Sequence, residues 1–254
     1  MKINRIKKIE AYLIKHESAS LDTLCEIFNV SKNTIRRDVS ELEKKGIIKK
    51  VYGGVTVTNK KSTIPFAERQ ISNLNEKKLI GKLASELVED RDIIFIDSGT
   101  TTLQMVPFLK NKQNLTIITN NLVVIQEAIA YDNLNILSTG GTLYRNTSSF
   151  VGIETLNFLK QYNISKAFMA ASGISISKGI TNSSPLESEI KRTMVENSDK
   201  VFILADSSKV DIVSLMTYCS IKEIDALITD KIPSKDFSEF FKANNVDLLT
   251  PNNK

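Results

Sequence analysis

The sequence predicts an α/β protein in two parts: a small helical domain ending in a β-hairpin, and a larger domain with a mostly parallel sheet. Residues 1–60 hold 13 Lys and Arg against 7 Asp and Glu, whereas residues 61–254 hold 21 against 22. Apolar residues recur at helical spacing in the first part, and six short apolar runs alternate with polar or helical segments in the second. A chain of 254 residues is long enough for two such domains.

Two amphipathic helices are predicted before residue 30. The first covers residues 3–16, and the second covers residues 21–28 after Ser20, a good N-cap. The residues expected to face the interior are Ile6, Ile9, Leu13 and Ile14 in the first helix and Leu21, Leu24, Ile27 and Phe28 in the second. Asn29 tolerates the left-handed conformation, so residues 29–31 are predicted to form a short turn.

A third helix starts after the N-cap Ser31 and ends at Gly46. Ile35, Val39 and Leu42 lie at i, i+4 and i+7, which gives one inward stripe. The following stretch, IIKKVYGG, predicts two short strands closed by glycines. Helix, turn, helix and β-hairpin in this order indicate a winged helix-turn-helix over residues 1–57.

The outward polar residues of the third helix are candidate DNA contacts, because the N-terminal residues of a major-groove helix approach the base edges. They are Lys32, Asn33, Thr34, Arg36 and Arg37, joined on the hairpin by the phosphate candidates Lys49, Lys50 and Tyr52. The two arginines suit phosphate or guanine, and Asn33 suits adenine. Asp38 is expected to orient a neighbouring arginine. Charge alone leaves an ordinary solvated basic face as the alternative.

Residues 58–74 are polar, contain Pro65 and lack clear periodicity, which predicts a linker. A helix resumes at Glu76, and residues 75–254 form the second domain. Its predicted strands are the apolar runs 92–97, 115–119, 134–139, 166–171, 200–206 and 225–229. Their alternation with helical segments indicates a mostly parallel sheet flanked by helices.

Five of these strands end in small polar loops, where ligands bind in open α/β sheets. The loops are DSGTTT (97–102), TNN (119–121), STGGT (138–142), ASG (171–173) and DSSK (206–209). DSGTTT precedes a predicted helix, so its N–H groups and hydroxyls would suit a phosphate. Taken alone, DSGTTT is more often ordinary turn chemistry, but five such loops at the ends of successive strands favour a shared pocket.

The candidate ligand-binding residues come from these loops and two further segments. They are Asp97, Ser98, Gly99, Thr100, Thr101, Thr102, Asn120, Asn121, Gly140, Gly141, Arg145, Gly173, Glu187 and Lys209. Lys209 and Arg145 would add charge beside a phosphate, and the carboxylates and amides would bind sugar hydroxyls. For Glu187 and Glu189, favourable interaction with a helix dipole is the alternative.

Several classes of protein are not expected. A single histidine, His16, excludes a histidine-based triad or a histidine-rich metal site, and no cofactor is predicted. Cys25 and Cys219 lie far apart without a CxxC pattern, which favours two reduced thiols. No secretory signal or membrane-length apolar run is apparent, so a cytoplasmic protein is expected.

The chain resembles the DeoR family of bacterial transcription regulators over nearly its full length. The matching stretches are VSKNTIRRDVSELEKKGIIKKVYGGV, FIDSGTTT, ITNNL, GGT, SFVG, GIT…E and LADSSK. One departure is VEDRD at 88–92, where the family usually has a glycine before the strand and Arg91 stands here. The resemblance implies a homo-oligomeric repressor that binds double-stranded operator DNA through the first domain.

The resemblance also implies that the second domain senses a phosphorylated sugar or sugar acid. The regulated operon would serve sugar or polyol catabolism, with myo-inositol as one candidate. The sensor is similar to ribose-5-phosphate isomerases, in which a GTT-like loop (here Gly99, Thr100 and Thr101) and a lysine (here Lys209) hold phosphate. The isomerases' aspartate-rich turn corresponds to residues 171–175, which contain no carboxylate, so binding without turnover is expected. A sugar-phosphate isomerase with an accessory basic domain is the alternative.

Overall fold

A computed structural model describes residues 2–16, 18–44, 47–51, 53–57 and 65–251. The chain divides into two compact units, Met1–Ser62 and Thr63–Lys254. The division falls inside the predicted linker, residues 58–74. The second half of that segment contains a helix that packs in the second unit, and residues 58–64 of the predicted linker lie outside the described residues.

The first unit is a winged helix-turn-helix, as predicted. Its elements are α1 (Lys2–His16), β1 (Ser18–Ser20), α2 (Leu21–Phe28), α3 (Lys32–Lys44), β2 (Ile48–Val51) and β3 (Gly54–Val57). The strands form an antiparallel sheet in the order β1-β3-β2. Strand β1 was not predicted, because three residues are too few to establish a period. The expected helix end at Gly46 lies outside the described residues.

The predicted turn between α2 and α3 is confirmed. Ser20 caps α2 by accepting the Thr23 N–H at 3.0 Å. Asn29 adopts φ 48° and ψ 52°, and its N–H bonds to the carbonyls of Cys25 and Glu26. The left-handed residue therefore ends α2 and redirects the chain into α3.

Where the structure describes the side chains, the core of the first unit agrees with the predicted stripes except at one position; the side chain of Ile14 lies outside the description. Ile9, Leu13, Leu24, Ile35, Val39 and Leu42 are fully buried. Ile27 was expected inside but is 46% exposed. Helix α2 buries the face of Leu24 and Phe28, four residues apart, and Phe28 meets Tyr12 of α1 edge to face at 6.1 Å. Ile27 lies about 100° around the helix from Phe28, which turns it outward.

Asp38 anchors α3 to α1. Its carboxylate is buried and accepts hydrogen bonds from Arg5 Nε at 2.6 Å and Arg5 Nη2 at 3.3 Å. The bond to Asp38 raises the pKa of the Arg5 guanidinium. Asp38 does orient an arginine, but that arginine comes from α1 rather than from α3 as the sequence suggested. Arg36 and Arg37 therefore remain outward.

The second unit alternates helices and strands. Its helices are α4 (Phe66–Ile71), α5 (Leu74–Glu86), α6 (Leu122–Ala128), α7 (Ile153–Leu159), α8 (Pro185–Asn197) and α9 (Lys235–Ala243), with 3₁₀ helices at Thr102–Phe108, Ser207–Lys209 and Ile221–Glu223. The strands of its main sheet are β4 (Ile93–Ile96), β5 (Leu115–Thr119), β6 (Leu134–Ser138), β9 (Ile164–Ala170), β12 (Ser198–Leu204), β14 (Ala226–Ile228) and β15 (Asp247–Leu249).

All neighbours in the main sheet are parallel, in the order β15-β14-β12-β9-β4-β5-β6. From β4 the chain first builds outward through β5 and β6. It then returns to the other side of β4 with β9 and builds outward through β12, β14 and β15. The strand order thus reverses between β4 and β9, the point where the carboxyl ends of the strands leave a crevice.

Helices cover both faces of this sheet. Ile94 and Ile96 of β4 pack with Ile80 of α5 in one apolar cluster. Phe95, between them in sequence, packs in a second cluster with residues of α7, α8 and α9. Alternate side chains of a strand point to opposite faces, so a buried parallel strand is apolar throughout. This accounts for runs such as IIFI and LTIIT.

The six predicted strands are present, and the structure adds several that the sequence did not indicate. These are β15 at the sheet edge, the hairpin of β7 (Thr142–Tyr144) and β8 (Ser149–Val151), and an antiparallel sheet of β10 (Gly173–Ser175), β11 (Gly179–Asn182) and β13 (Met216–Cys219). The helix predicted after DSGTTT is a 3₁₀ helix that contains Pro107. No helix among the described residues has the length and apolar character needed to cross a bilayer.

Arg91, just before β4, has a backbone conformation that favours glycine. Its φ is +68°, a left-handed conformation that costs a residue with a Cβ roughly 1–2 kcal/mol. We expect Arg91→Gly to raise the free energy of unfolding by up to about 1 kcal/mol, after the entropic cost of glycine. Urea denaturation measures the change. Asn114→Gly, at φ +55°, is the matched control. Its free energy of unfolding should rise less than that of Arg91→Gly, because asparagine tolerates this backbone region.

The two thiols should differ in reactivity. Cys219 is buried and burial raises its pKa to about 12, whereas Cys25 is partly exposed. Only the thiolate reacts with a disulfide reagent, so Cys219 should be unreactive at pH 8. We expect one fast thiol in the native protein and two in urea, measured by the absorbance of released thionitrobenzoate. Two fast thiols in the native protein would contradict this arrangement.

Candidate functional site

The outer face of α3 presents most of the predicted DNA contacts to solvent. Lys32, Asn33, Arg36 and Arg37 are exposed, and Thr34 is partly exposed. The Ser31 hydroxyl accepts the Thr34 N–H at 3.4 Å and lies 3.0 Å from the Thr34 hydroxyl. Ser31 therefore caps the start of α3 as predicted, and the side chains that follow it project into solvent from one end of the helix.

The cations of this unit differ in their surroundings. Lys32 pairs with Asp22 of α2 at 2.6 Å, and Lys50 pairs with Glu43 of α3 at 2.8 Å. Within the described residues, Arg36, Arg37 and Lys49 form no ion pair. Tyr52, the remaining candidate on the hairpin, lies outside the described residues.

In the second unit a cavity of about 20 Å³ lies where the strand order reverses. We call it the switch cavity. Its lining combines the ends of β4 and β9 with side chains of two helices and the small antiparallel sheet: Arg69, Ser98, Gly99, Ala170, Ala171, Ser172, Asn182, Glu187 and Lys191. A volume of this size holds about one water molecule, so a larger ligand would have to displace part of the lining.

Asp97 is the structural centre beside the switch cavity. Its Oδ1 accepts the Gly99 N–H at 2.9 Å and the Thr102 hydroxyl at 2.6 Å. Its Oδ2 accepts the Ala170 N–H at 2.8 Å and is paired with the ammonium of Lys191. Both carboxylate oxygens are thus engaged within the protein. Asp97 and Thr102 shape the 97–102 loop rather than project from it.

Gly99 is required by the same arrangement. A Cβ at this position would lie 2.3 Å from Ala170 Cβ and 2.9 Å from Asp97 Oδ1. Thr100 and Thr101 follow and are buried. No acceptor among the described residues takes the backbone N–H groups of Ser98, Thr100 or Thr101. These three donors can therefore serve an anion.

Glu187 connects three segments through one oxygen. Its Oε1 accepts the Ser98 hydroxyl at 2.5 Å and the Ser149 hydroxyl at 3.1 Å, and Ser149 lies 2.7 Å from the Thr147 hydroxyl. Glu187 also stands in the first turn of α8, where Ser184 caps the helix. Its place in the first turn of α8 agrees with the helix-dipole alternative, while binding of a sugar hydroxyl stays a prediction. The 171–175 turn has no carboxylate, but Glu187 brings one to the cavity.

Arg69 is the second cation at the switch cavity. It belongs to α4, and its guanidinium carbon lies 5.6 Å from the centre of the Phe66 ring. Burial lowers the pKa of this guanidinium, while the carboxylates of Glu187 and Asp97 oppose the lowering. Arginine remains charged at neutral pH even so. The cavity therefore combines two cations, Arg69 and Lys191, with two carboxylates.

A neighbouring polar cluster fastens α4 and α5 to the end of β12. Asp206 Oδ1 accepts Asn73 Nδ2 at 3.0 Å and the Ser208 N–H at 3.1 Å. The buried ammonium of Lys77 donates to the carbonyl of Arg69. Burial lowers the pKa of Lys77, and Asp206 opposes this effect. The DSSK loop and the backbone of α4 are thereby linked.

The other predicted ligand-binding residues do not line the switch cavity. Asn121 caps α6 by accepting the Val123 N–H at 2.9 Å, and Gly173 packs against the backbone of Ile212. Asn120 is buried and donates to the Phe150 carbonyl at 3.1 Å. Those placed in peripheral loops are Gly140, Gly141, Arg145 and Lys209; Arg145 is exposed and Lys209 partly exposed.

Sequence reasoning missed Arg69 and Lys191. Lys191 had a usable signal, since it follows Glu187 by four residues and both therefore lie on one face of α8. Arg69 had none, because the polar segment around it lacks helical periodicity. Its position becomes visible only when Phe66 is seen buried in the core of the second unit.

Comparisons with known proteins agree with both units. A model of the DeoR-like helix-turn-helix domain matches residues 5–61, and a model of the DeoR C-terminal sensor domain matches residues 72–231. Among solved structures, ribose 5-phosphate isomerase A from Methanocaldococcus jannaschii is 19% identical, with a TM-score of 0.41 and 55% of each chain covered. A likeness at that level does not bear on function.

Curated relatives match nearly the whole chain. The HTH-type transcriptional regulator IolR of Bacillus subtilis is 42% identical over 248 residues, covering 98% of this chain and 99% of the relative. The transcriptional repressor AccR of Agrobacterium fabrum is 32% identical, covering 95% and 97%. HTH-type transcriptional regulator GolR of Listeria innocua is also 32% identical, covering 94% of each chain. The chain belongs to the DeoR family of helix-turn-helix transcriptional regulators.

Proposed function

We propose that this regulator represses a sugar or polyol catabolic operon and leaves its operator when a phosphorylated sugar or sugar acid binds the second unit. The observation that carries the proposal is the presence of two kinds of cationic site on one chain. The first unit exposes Arg36 and Arg37 on α3, whereas the second unit holds the buried Lys191 and the half-buried Arg69 beside backbone donors of the 97–102 loop. Catabolism of myo-inositol is the candidate that the similarity to IolR favours.

Operator binding would use the exposed end of α3. Arg36 and Arg37 would reach guanine edges or phosphates, and Asn33 would reach adenine. Lys32, Thr34 and Lys49 would bind the phosphate backbone. Symmetric operators are bound by symmetric proteins, so the active form would be a homo-oligomer.

Effector binding would use the 97–102 loop. The N–H groups of Ser98, Thr100 and Thr101 would bind phosphate oxygens, with Arg69 supplying charge. Glu187 and Asn182 would bind sugar hydroxyls. Residues around the cavity that the sequence also assigns to the effector would act indirectly: Asp97, Gly99, Thr102 and Asn121 by shaping the loop, and Asn120, Gly140, Gly141, Arg145, Gly173 and Lys209 from adjoining loops.

Release from DNA would begin with α4. The switch cavity holds about one water molecule, so an entering sugar phosphate would displace Arg69 and with it α4. Phe66 begins α4 three residues after the division between the units. A shift of α4 would therefore pull directly on the segment joined to the DNA-binding unit. Linkage requires that the effector bind the low-affinity conformation more tightly.

An isomerase is the second candidate, favoured by one observation. Glu187 places a buried carboxylate in the switch cavity, where general base catalysis would need one. Its Oε1 already accepts hydrogen bonds from the Ser98 and Ser149 hydroxyls, so this oxygen is engaged within the protein and is not open to a substrate proton. Incubation with pentose and hexose phosphates, followed by NMR, would reveal any turnover.

The proposed DNA contacts predict losses at single arginines. We expect Arg36→Ala and Arg37→Ala each to weaken operator binding by roughly 1–3 kcal/mol and to reduce its dependence on salt. Fluorescence anisotropy at several salt concentrations measures both quantities. Lys222→Ala, an exposed cation of the second unit, is the control and should bind normally. Normal binding by both arginine variants would show that α3 is not the recognition helix.

The proposed effector class predicts stabilisation and release together. A ligand at about 100 times its Kd should stabilise the native state by roughly 2.7 kcal/mol. We therefore expect at least one member of a panel of hexose, pentose and sugar-acid phosphates to raise Tm and lower operator affinity. The unphosphorylated sugars serve as controls. If no phosphate in a broad panel changes either quantity, the sensor proposal is wrong.

A further inference from the structure

The hairpin of the first unit carries two adjacent lysines, Lys49 and Lys50, with different surroundings. Successive side chains of a strand point to opposite faces. Ile48, on the same face of β2 as Lys50, is buried in the core beneath α3. Lys50 therefore points toward α3, whereas Lys49 points away from it.

Lys50 is bound to α3 by both its backbone and its side chain. Its N–H donates to Glu43 Oε1 at 3.0 Å, and its ammonium contacts Glu43 Oε2 at 2.8 Å. These two bonds lower the pKa of the Glu43 carboxyl. Strand β2 is an edge strand, bonded to β3 on its other side. Glu43 therefore satisfies an edge N–H that a further strand would otherwise bond.

A second connection reaches the turn of the helix that carries Arg36. The Lys50 ammonium donates to the Ser40 hydroxyl at 2.8 Å, and that hydroxyl donates to the carbonyl of Arg36 at 2.6 Å. Arg36, Ser40 and Glu43 lie at i, i+4 and i+7, so they form one stripe of α3 that faces the hairpin. The contacts run along two turns of the recognition helix.

We propose that Lys50 is a positioning residue that holds the hairpin against α3, and that Lys49 is the lysine of this pair that contacts DNA phosphate. The proposal rests on the DNA-binding role of the first unit. Lys49 is exposed, and it forms no ion pair within the described part of the chain. The Lys50 ammonium has three N–H donors, of which Glu43 and Ser40 take two, so a phosphate that used the third would lie close to the Glu43 carboxylate and be repelled by it.

Glu43 makes this proposal testable, because two explanations predict opposite signs. If Lys50 contacts DNA, Glu43 only competes for it, and Glu43→Gln removes a negative charge and strengthens binding. If the pair positions the hairpin, Glu43→Gln weakens binding although the protein becomes more positive. Lys50→Met should weaken binding by a similar factor, and the double variant should be no weaker than the poorer single variant.

The experiment measures the affinity of the full-length protein for a duplex selected in vitro with the wild type, at several salt concentrations. We expect roughly three- to tenfold weaker binding for Glu43→Gln and for Lys50→Met, the range of one charged hydrogen bond. Lys49→Met is the matched control, and it should reduce the salt slope by about one. Circular dichroism and Tm check that each variant folds. All variants should fold, because an exposed ion pair contributes little to stability.

The outcomes separate this proposal from the wider one. Stronger or unchanged binding by Glu43→Gln, with a salt slope for Lys50→Met reduced by about one, would show that Lys50 is a phosphate contact. Losses that add in the double variant would likewise overturn the positioning role. Failure of the wild type to prefer any selected duplex over random DNA would instead overturn the assignment of the first unit as an operator reader.

Discussion

The second unit depends on a charge buried where its strand order reverses. A carboxylate out of water is costly unless it is paired and hydrogen-bonded, and Asp97 meets both conditions. One oxygen accepts hydrogen bonds from the Gly99 N–H and the Thr102 hydroxyl of its own loop. The other accepts the Ala170 N–H of β9 and pairs with the ammonium of Lys191 of α8. Lys191 also donates to the carbonyl of Ala170. One ion pair thus fixes the ends of both central strands and the wall of the switch cavity.

The two units use positive charge in opposite ways. The first unit exposes Arg36 and Arg37 to water, where any interaction of their charges with a polyanion is sensitive to salt. The second unit holds the buried Lys191 and the half-buried Arg69 beside the carboxylates of Asp97 and Glu187, where salt screens their charges less. This contrast fits a regulator whose output binds a long duplex and whose input binds one small molecule. Helix α4, which carries Arg69, is the first helix of the second unit after the division between the units.

Several particular residues show how far the sequence could be followed. The period-3.6 stripe of Ile35, Val39 and Leu42 and the runs in β4 and β5 predicted the elements correctly, because each repeats over more than one turn or pleat. The prediction that Ile27 is buried was wrong, because α2 has only eight residues and its periodicity does not identify the buried face. Helix α4 was hidden in a polar segment, because packing by Phe66 rather than local pattern makes it part of the second unit.

The sequence by itself determined the family, the division of charge, the third helix with its outward arginines and the glycine-bearing loops, since these follow from residue type and local spacing. Only the tertiary structure decided which polar residues are free. Asp97 and Asn121 are engaged within the protein, and Lys49 differs from Lys50, although their sequence contexts are alike. Arg5, 33 residues away, and not a neighbouring arginine, binds Asp38. Partners such as Arg5 for Asp38 and Lys191 for Asp97 are distant along the chain, and local pattern contains no information about them.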